Sequence, residues 1–195
     1  MEEDTFESIV SDIKNGKVGV IPTDTMYGII ASVSVPVAVE KIYELRHRDT
    51  TKRCIVLISS LDDLSVFGTS LDEKTKNILN KLWPGPFSID LPVDENKFPH
   101  LTRGRGPSVA FRLPDNKELI NFIKQTGPII APSANTEGKP PAKNLEEAKK
   151  YFPNLDFYVD GGLMDGEPST VVFIVGDKIK IFRQGKGIVP PELML

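Results

Sequence analysis

The feature that most constrains the fold is a series of nine short apolar runs, each bounded by glycine, proline or polar residues. Runs of this length between turn residues are typical of strands buried in a sheet. The predicted strands are 17–22, 29–33, 54–58, 87–91, 108–113, 128–131, 157–159, 171–175 and 179–182. Apolar residues at helical spacing predict helices beginning at a capping box at 4–7, at Pro36, at 61, at 71 after Ser70, and at polar caps Asp115 and Asn144.

The strands outnumber the helices, and some strands are joined by turns too short to hold a crossover helix. This pattern predicts an α/β fold, with a twisted mixed β-sheet and helices packed around it. The chain of 195 residues is long enough to bury its own core, so we expect one domain over 1–195. Two irregular stretches, 94–107 and 136–143, are long enough to suggest functional loops.

Composition excludes several classes of protein. One cysteine and two histidines rule out a disulfide framework and make a multi-cysteine or histidine-rich metal site unexpected. The acidic N-terminus is unlike a signal peptide, and no apolar run is long enough to span a bilayer. We therefore expect a cytoplasmic protein without a membrane partner, whose net charge of −3 argues against a general nucleic-acid coat.

The common catalytic motifs are missing from the sequence. It contains no Walker A phosphate loop, no complete G-x-G-x-x-G, no H-E-x-x-H and no G-x-S-x-G elbow. An enzyme with this sequence is therefore expected to act by positioning and electrostatics, without a side-chain nucleophile.

Polar and basic clusters at the ends of predicted strands are the remaining candidates for a site. The turn 22–28 offers several hydroxyl groups, although turns favour such residues in any case. The cations at 46–53 suit either a solvated helix end or a polyphosphate. Arg112 ends an apolar strand, so it needs a partner, either a ligand carboxylate or a structural aspartate. Ser133, Ser169 and Arg183 also lie at strand ends, where an ordinary turn is the alternative.

Seven motifs in this order resemble those of the YrdC-like family. They are Pro-Thr-x-Thr-x-Tyr-Gly at 22–28, an imperfect Lys-x-Arg at 46–48, Trp-Pro-Gly-Pro at 83–86, Arg-x-Pro at 112–114, Ser-Ala-Asn at 133–135 with Gly138, Pro-Ser-Thr-Val-Val at 168–172 and Arg-x-Gly at 183–185. The resemblance covers roughly residues 6–188 and is to the short, single-domain form of the family.

The resemblance implies a mainly parallel-and-mixed sheet with a positively charged cavity. It also implies a nucleotidyltransferase reaction, in which L-threonine, bicarbonate and ATP with magnesium give threonylcarbamoyl-AMP and pyrophosphate. The protein itself would supply no metal ligand. The product would pass to threonylcarbamoyl transferase proteins that modify tRNA, and whether tRNA touches this chain is left open.

The family's site residues transfer to this chain position by position. The resemblance implies ATP contacts at Arg48, Lys52, Ser108, Ser133 and Arg183, and of these Arg48 and Lys52 are expected to matter most. It implies threonine contacts at Thr25, Arg112 and Ser169. The residues expected to shape the pocket are Thr23, Tyr27, Arg46 and Asn135.

The chain departs from the family pattern at four positions, which leaves a change of substrate open. Arg46 replaces a lysine, Leu57 a histidine and Pro141 a hydroxyl residue, while Ala131 offers only its backbone.

Two other functions also remain open: a non-catalytic module that binds RNA, double-stranded RNA included, and an enzyme that makes carbamoyl-AMP from carbamoyl phosphate. The loop 136–143 is the candidate lid.

Overall fold

The computed structural model describes residues 4–195 and contains nine strands. The strands are β1 (Gly19–Pro22), β2 (Tyr27–Ser32), β3 (Val56–Leu57), β4 (Phe87–Pro92), β5 (Ser108–Arg112), β6 (Ile129–Ile130), β7 (Phe157–Tyr158), β8 (Thr170–Val175) and β9 (Lys178–Arg183). The α-helices are α1 (Val10–Lys14), α2 (Pro36–Leu45), α3 (Glu73–Leu82), α4 (Pro99–Thr102), α5 (Lys117–Thr126) and α6 (Leu145–Tyr151). Two 3-10 helices span Leu61–Phe67 and Pro191–Leu193.

All nine strands form one sheet in the order β7-β1-β2-β6-β3-β5-β4-β8-β9. The predicted α/β class and mixed sheet are confirmed. The expectation of a mainly parallel sheet is wrong, because only β1–β7, β3–β5 and β4–β8 are parallel among the eight neighbouring pairs. Short turns account for two of the five antiparallel pairs, since β1–β2 and β8–β9 are joined by too few residues for a crossover.

Two apolar clusters cover the two faces of the sheet. Neighbouring residues of one strand enter different clusters, as Val20 and Ile21 do, because side chains alternate along a strand. The first cluster includes the stripe of α2, and the second includes α5 with Phe122 and Ile123. Strands β2, β3 and β6 are therefore buried on both faces, which explains why they read as continuous apolar runs, whereas β9 at the edge is partly exposed.

The predicted capping box at 4–7 is wrong. The carboxylate of Asp4 accepts a hydrogen bond from the N–H of Tyr158 at 2.8 Å, and Asp4 forms a parallel bridge with Val159. Thr5 and Ser8 instead exchange side-chain hydrogen bonds with each other's N–H groups. The helix therefore begins only at Val10. A tertiary contact has taken the residue that local chemistry assigns to the cap.

Other caps are displaced by one or two residues. Asn116, and not Asp115, accepts from Leu119 N–H at the start of α5, and Asp72 takes the place predicted for Ser70 at the start of α3. The cap at Asn144 is confirmed, since its side chain accepts from the N–H of Glu147.

The longest α-helices of the described residues have ten residues each. Ten residues rise about 15 Å, while the hydrocarbon core of a bilayer is about 30 Å thick. Within residues 4–195, no helix combines the length and apolarity that a membrane span needs.

Candidate functional site

A cavity of about 650 Å³ opens where several strand ends and loops meet. Its walls come from the turn after β1, the basic loop after α2 (residues 46–53), strands β4, β5, β8 and β9, and segments 131–133 and 168–171. Ten of the twelve predicted site residues line it, namely Thr23, Thr25, Tyr27, Arg46, Arg48, Lys52, Arg112, Ser133, Ser169 and Arg183. Segments far apart in the sequence thus converge on one hollow.

The lining of this cavity is strongly cationic. Asp90 is the acidic residue among the side chains that line it, whereas seven are basic: Arg46, Arg48, Lys52, Arg53, Arg105, Arg112 and Arg183. Two of these cations, Arg46 and Arg112, are buried, and the others lie around the same hollow, so the like charges repel one another. An anionic ligand would relieve that repulsion.

Ser108 and Asn135 do not line the cavity. The Ser108 hydroxyl accepts a hydrogen bond from Arg53 Nη1 at 2.5 Å, and Arg53 itself lines the cavity. Arg53 also pairs with Asp90 at 3.5 Å. The Asn135 side chain donates to the carbonyls of Thr136 and Lys139, which braces the 133–139 turn from behind.

The turn between β1 and β2 is held by its own hydroxyl groups. Thr23 Oγ1 donates to the carbonyl of Met26 at 2.7 Å and accepts from the N–H of Thr25. This arrangement presents Thr25 Oγ1 to Arg112, whose Nη1 donates to it at 2.9 Å. Thr23 therefore shapes the turn, and Thr25 presents its hydroxyl to the cavity.

Tyr27 anchors a neighbouring loop by its hydroxyl group. The hydroxyl lies 3.1 Å from Asp160 Oδ1 and 2.9 Å from the carbonyl of Gly162, and it accepts from Gly161 N–H. Burial raises the pKa of Tyr27 to about 12. The phenol therefore stays protonated at neutral pH and holds the loop in place.

Arg112 is buried beside Asp24, which settles the question of its partner. Its Nη2 lies 3.3 Å from Asp24 Oδ1, and both side chains are at most 5% exposed. Burial lowers the pKa of Arg112, and Arg183 nearby lowers it further. Among the described residues, Arg112 Nε has no hydrogen-bond partner. Arg112 therefore has a structural aspartate as its partner and also lines the cavity.

Arg46 is also buried, and it connects α2 to the Ser-Ala-Asn turn. Its Nε donates to the carbonyl of Asn135 at 3.0 Å, and its Nη2 donates to Ser133 Oγ and Asn135 Oδ1 at 3.3 Å. Its Nη1 has no partner among the residues that the structure describes. Burial and the neighbouring charge of Arg48 lower the pKa of Arg46. Arg46 therefore both positions Ser133 and keeps one donor free.

The basic loop is held by hydrogen bonds to its own backbone. Arg48 Nη2 donates to the carbonyl of Arg53 at 2.9 Å, and the hydroxyl of Tyr43 donates to the carbonyl of Lys52 at 2.7 Å. Arg105, which comes from the loop 94–107, donates to Thr51 Oγ1 at 2.8 Å. The length of that loop was the signal in the sequence that could have found Arg105.

Ser169 and Arg183 are brought together by a close approach of two segments. Arg183 Nη2 donates to the carbonyl of Ser169 at 2.7 Å, and the hydroxyl groups of Ser169 and Ser88 lie 2.8 Å apart. A Cβ on Gly185 would lie 2.1 Å from the carbonyl oxygen of Pro168. Only glycine therefore lets the end of β9 pack against this segment.

A family model described as "Telomere recombination", the Sua5/YciO/YrdC family, matches residues 11–185. The chain belongs to the Sua5/YciO/YrdC family.

Two relatives and one solved structure illustrate the similarity. A threonylcarbamoyl-AMP synthase of Bacillus subtilis is 32% identical, over 93% of this chain and 53% of its own length. One from Cellvibrio japonicus is 30% identical over 77% of this chain and 80% of its own. Pyrococcus abyssi Sua5, solved in complex with L-threonine, superimposes with a TM-score of 0.83 at 29% identity, over 94% of this chain and 56% of that one. The chain spans about half the length of several of the curated relatives it matches.

Two of the four departures from the family pattern lie at the cavity and two lie away from it. Leu57 is fully buried in the second apolar cluster and does not line the cavity. Pro141 is exposed and also lies outside the lining, whereas Ala131 is part of it. The remaining departure, Arg46, lies at the cavity wall and contacts Ser133.

The candidate lid contacts the basic loop through Glu137. Its carboxylate forms an ion pair with the ammonium of Lys52 and accepts from the N–H of Asp49 at 2.7 Å. These contacts lower the pKa of Glu137, so it is ionised at neutral pH. Glu137 therefore engages a cation that the family pattern assigns to phosphate.

Replacing Glu137 by glutamine is expected to tighten binding of tripolyphosphate by up to about fivefold, the scale of an exposed ion pair. Glutamine keeps an acceptor for Asp49 N–H but no longer competes for Lys52. Titration calorimetry at low salt measures the change. The control is Glu95→Gln, an exposed residue outside the cavity with the same change in charge. Equal effects of the two variants would contradict a specific role for Glu137.

Proposed function

We propose that the chain catalyses formation of threonylcarbamoyl-AMP and pyrophosphate from L-threonine, bicarbonate and ATP. The observation that carries the proposal is that the Arg112, Thr25 and Ser169 group and the basic loop line one cavity. The names of the relatives and the threonine complex of Pyrococcus abyssi Sua5 support it. They favour this reaction over the RNA-binding and carbamoyl phosphate alternatives.

The Arg112 end of the cavity suits an amino acid with a hydroxyl group. Arg112 and Thr25 both line this end, and Arg112 Nη1 donates to the Thr25 hydroxyl. A guanidinium matches a carboxylate in shape as well as charge. Ser169 directly precedes β8, and its hydroxyl forms a hydrogen bond with the hydroxyl of Ser88. The Ser169 hydroxyl can form one further hydrogen bond. We assign the carboxylate and hydroxyl of L-threonine to this end.

The basic-loop end suits a triphosphate. Arg48 and Lys52 belong to one loop, and Arg46, which follows α2, lines the same wall of the cavity. Hydrogen bonds from charged donors to phosphate are about twice as strong as neutral ones. Ser133 is held by Arg46 at the same wall. We assign ATP to these residues and to Arg183.

The proposed reaction needs two bond-forming steps and no protein nucleophile. The unprotonated amine of threonine attacks the carbon of bicarbonate and, with loss of water, gives a carbamate. A carbamate oxygen then attacks the α-phosphorus, the α–β bridging P–O bond breaks, and pyrophosphate leaves with the electron pair. Cations fixed near the phosphates stabilise the charge that moves to the leaving oxygen. Holding both substrates together supplies much of the remaining rate increase.

Magnesium enters the proposal bound to the triphosphate. Within residues 4–195, no group of three or more His, Cys, Asp or Glu side chains is placed to hold a metal ion. The cations that line the cavity suit direct contact with phosphate oxygens, and Asp90 is paired with Arg53. When bound, magnesium would neutralise phosphate charge.

The cellular context is part of the same proposal. The labile adenylate would be consumed by threonylcarbamoyl transferase proteins acting on tRNA in the cytoplasm, and tRNA need not contact this chain. The single domain over 1–195 stays a prediction.

The test is pyrophosphate release. The purified chain with ATP, magnesium and bicarbonate is expected to release pyrophosphate only when L-threonine is added, and mass spectrometry is expected to detect threonylcarbamoyl-AMP. L-valine, which replaces the hydroxyl by a methyl group, is the matched control substrate and is expected to react poorly because a buried polar site is left unpaired. Release that needs carbamoyl phosphate, or salt-sensitive RNA binding without release, would overturn the proposal in favour of one alternative.

A further inference from the structure

An aromatic pair lies at the edge of the cavity, beyond the residues assigned above. Phe182 is 73% exposed and contributes to the cavity lining together with Phe173. Their ring centroids are 5.7 Å apart with the planes at 88°. Among the exposed large hydrophobic side chains of residues 4–195, Phe182 is the aromatic one. An exposed phenyl ring leaves apolar surface in contact with water. A ligand that covers Phe182 would remove this surface from water and gain the free energy of burial.

A β-bulge directs Phe182 toward the cavity. Val171 pairs with Arg183, but Val172 pairs with Ile181, so Phe182 is the extra residue of β9. In a regular strand, successive side chains point to opposite faces of the sheet. If β9 were regular here, Phe182 and Arg183 could not both reach the cavity. A bulge changes the direction of side chains locally. Both residues line the cavity as a result.

Neighbouring strands extend this surface. Phe173 pairs with Asp90 of β4, and Asp90 pairs with Ala110 of β5, and all three line the cavity. The charge of Asp90 is balanced by Arg53 at 3.5 Å. The result is a largely apolar strip that ends at Phe182 and lies beside cations.

We propose that Phe182 and Phe173 form the surface on which the purine ring of a nucleotide stacks while its phosphates contact the neighbouring cations. The proposal rests on the proposed function for the identity of the nucleotide as ATP. Threonine, bicarbonate and pyrophosphate have no flat apolar part, so among the proposed reactants and products only the nucleotide uses such a strip. Stacking on an aromatic side chain tolerates different bases, because every base has a π-face.

The test compares two ligands with the same phosphates and different ends. Phe182→Ala is expected to weaken binding of ATP and of GTP on the order of tenfold, the scale of one lost base stack. Binding of tripolyphosphate, which has no base, is expected to stay unchanged. Titration calorimetry with magnesium measures all three. Ile188→Ala is the matched control, because Ile188 is 79% exposed and does not line the cavity.

A second variant gives a direct signal. Phe182→Trp is expected to retain ATP affinity, and stacking of the base is expected to quench its fluorescence, whereas tripolyphosphate is expected not to. The unsubstituted protein, which contains only the buried Trp83, supplies the background. Equal loss of ATP and tripolyphosphate affinity in Phe182→Ala, unchanged ATP affinity, or no ATP binding by the parent protein would overturn the proposal.

Failure of this inference is distinguishable from failure of the proposed function. If the protein releases pyrophosphate with threonine but Phe182→Ala binds ATP normally, the stacking proposal is wrong and the proposed function stands. If threonine has no effect on the parent protein but Phe182→Ala selectively loses nucleotide affinity, the stacking proposal stands and the proposed function is wrong.

Discussion

Replacing Arg112 by alanine is expected to lower the free energy of unfolding by about 3–5 kcal/mol and to abolish detectable threonine binding. The variant leaves the Asp24 carboxylate buried without its 3.3 Å partner. A buried charge that loses its partner costs far more than the intact pair contributes. It also removes the only guanidinium that contacts the hydroxyl of Thr25 among the described residues. Urea denaturation and calorimetry with L-threonine measure the two effects.

The double variant Asp24→Asn/Arg112→Met separates stability from binding. It removes both charges and keeps an apolar side chain of similar length, so most of the lost stability is expected to return. Threonine binding is expected to stay lost, because the guanidinium assigned to the carboxylate is gone. A double variant that regains threonine affinity would show that Arg112 acts only through the fold.

Replacing Arg46 by alanine is expected to lower kcat/KM for ATP by roughly 10²–10³, the scale of one lost donor in a charge-stabilising site. The variant removes a cation from the cavity wall and leaves Ser133 Oγ and Asn135 Oδ1 without their donor. Pyrophosphate release at saturating threonine measures the effect. Because the side chain is buried, denaturation is measured alongside it, with an expected loss of about 1–3 kcal/mol for the unpaired groups.

Arg46→Lys is the informative companion, since it places the family's lysine at this position. Lysine keeps the charge but cannot reproduce two separate donors to Asn135. We expect it to restore much of kcat/KM for ATP and less of the stability. If the lysine variant is as impaired as the alanine variant, the charge of Arg46 is not what ATP requires.

Local patterns predicted much of the framework. The strand at 17–22 and the helix start at Pro36 follow from apolar spacing and proline chemistry within a few residues, and both are confirmed. The capping box at 4–7 failed, because Asp4 is taken by Tyr158, which is 154 residues away. Short-range chemistry decides an element when no distant group competes for the same atoms.

In the candidate site, too, some features follow from the sequence and others depend on tertiary contacts. Of the twelve site residues that the family resemblance implies, ten line the cavity. Ser108 lies outside the lining and its hydroxyl is bonded to Arg53, a contact that no local pattern indicates, so its predicted role in ATP binding stays a prediction. The pairing of Arg112 with Asp24 was left open, since either a ligand or an aspartate satisfies a buried guanidinium.

The sequence by itself determined where the strands and helices lie and which polar side chains stand at their ends, because periodicity and turn chemistry operate over neighbouring residues. The tertiary structure decided which of those side chains meet. Thr25 and Arg112 are 87 residues apart, and Lys52 and Glu137 are 85 apart. The bulge that directs Phe182 into the cavity depends on the register between β8 and β9. Such contacts depend on how packed strands align, which no local pattern encodes.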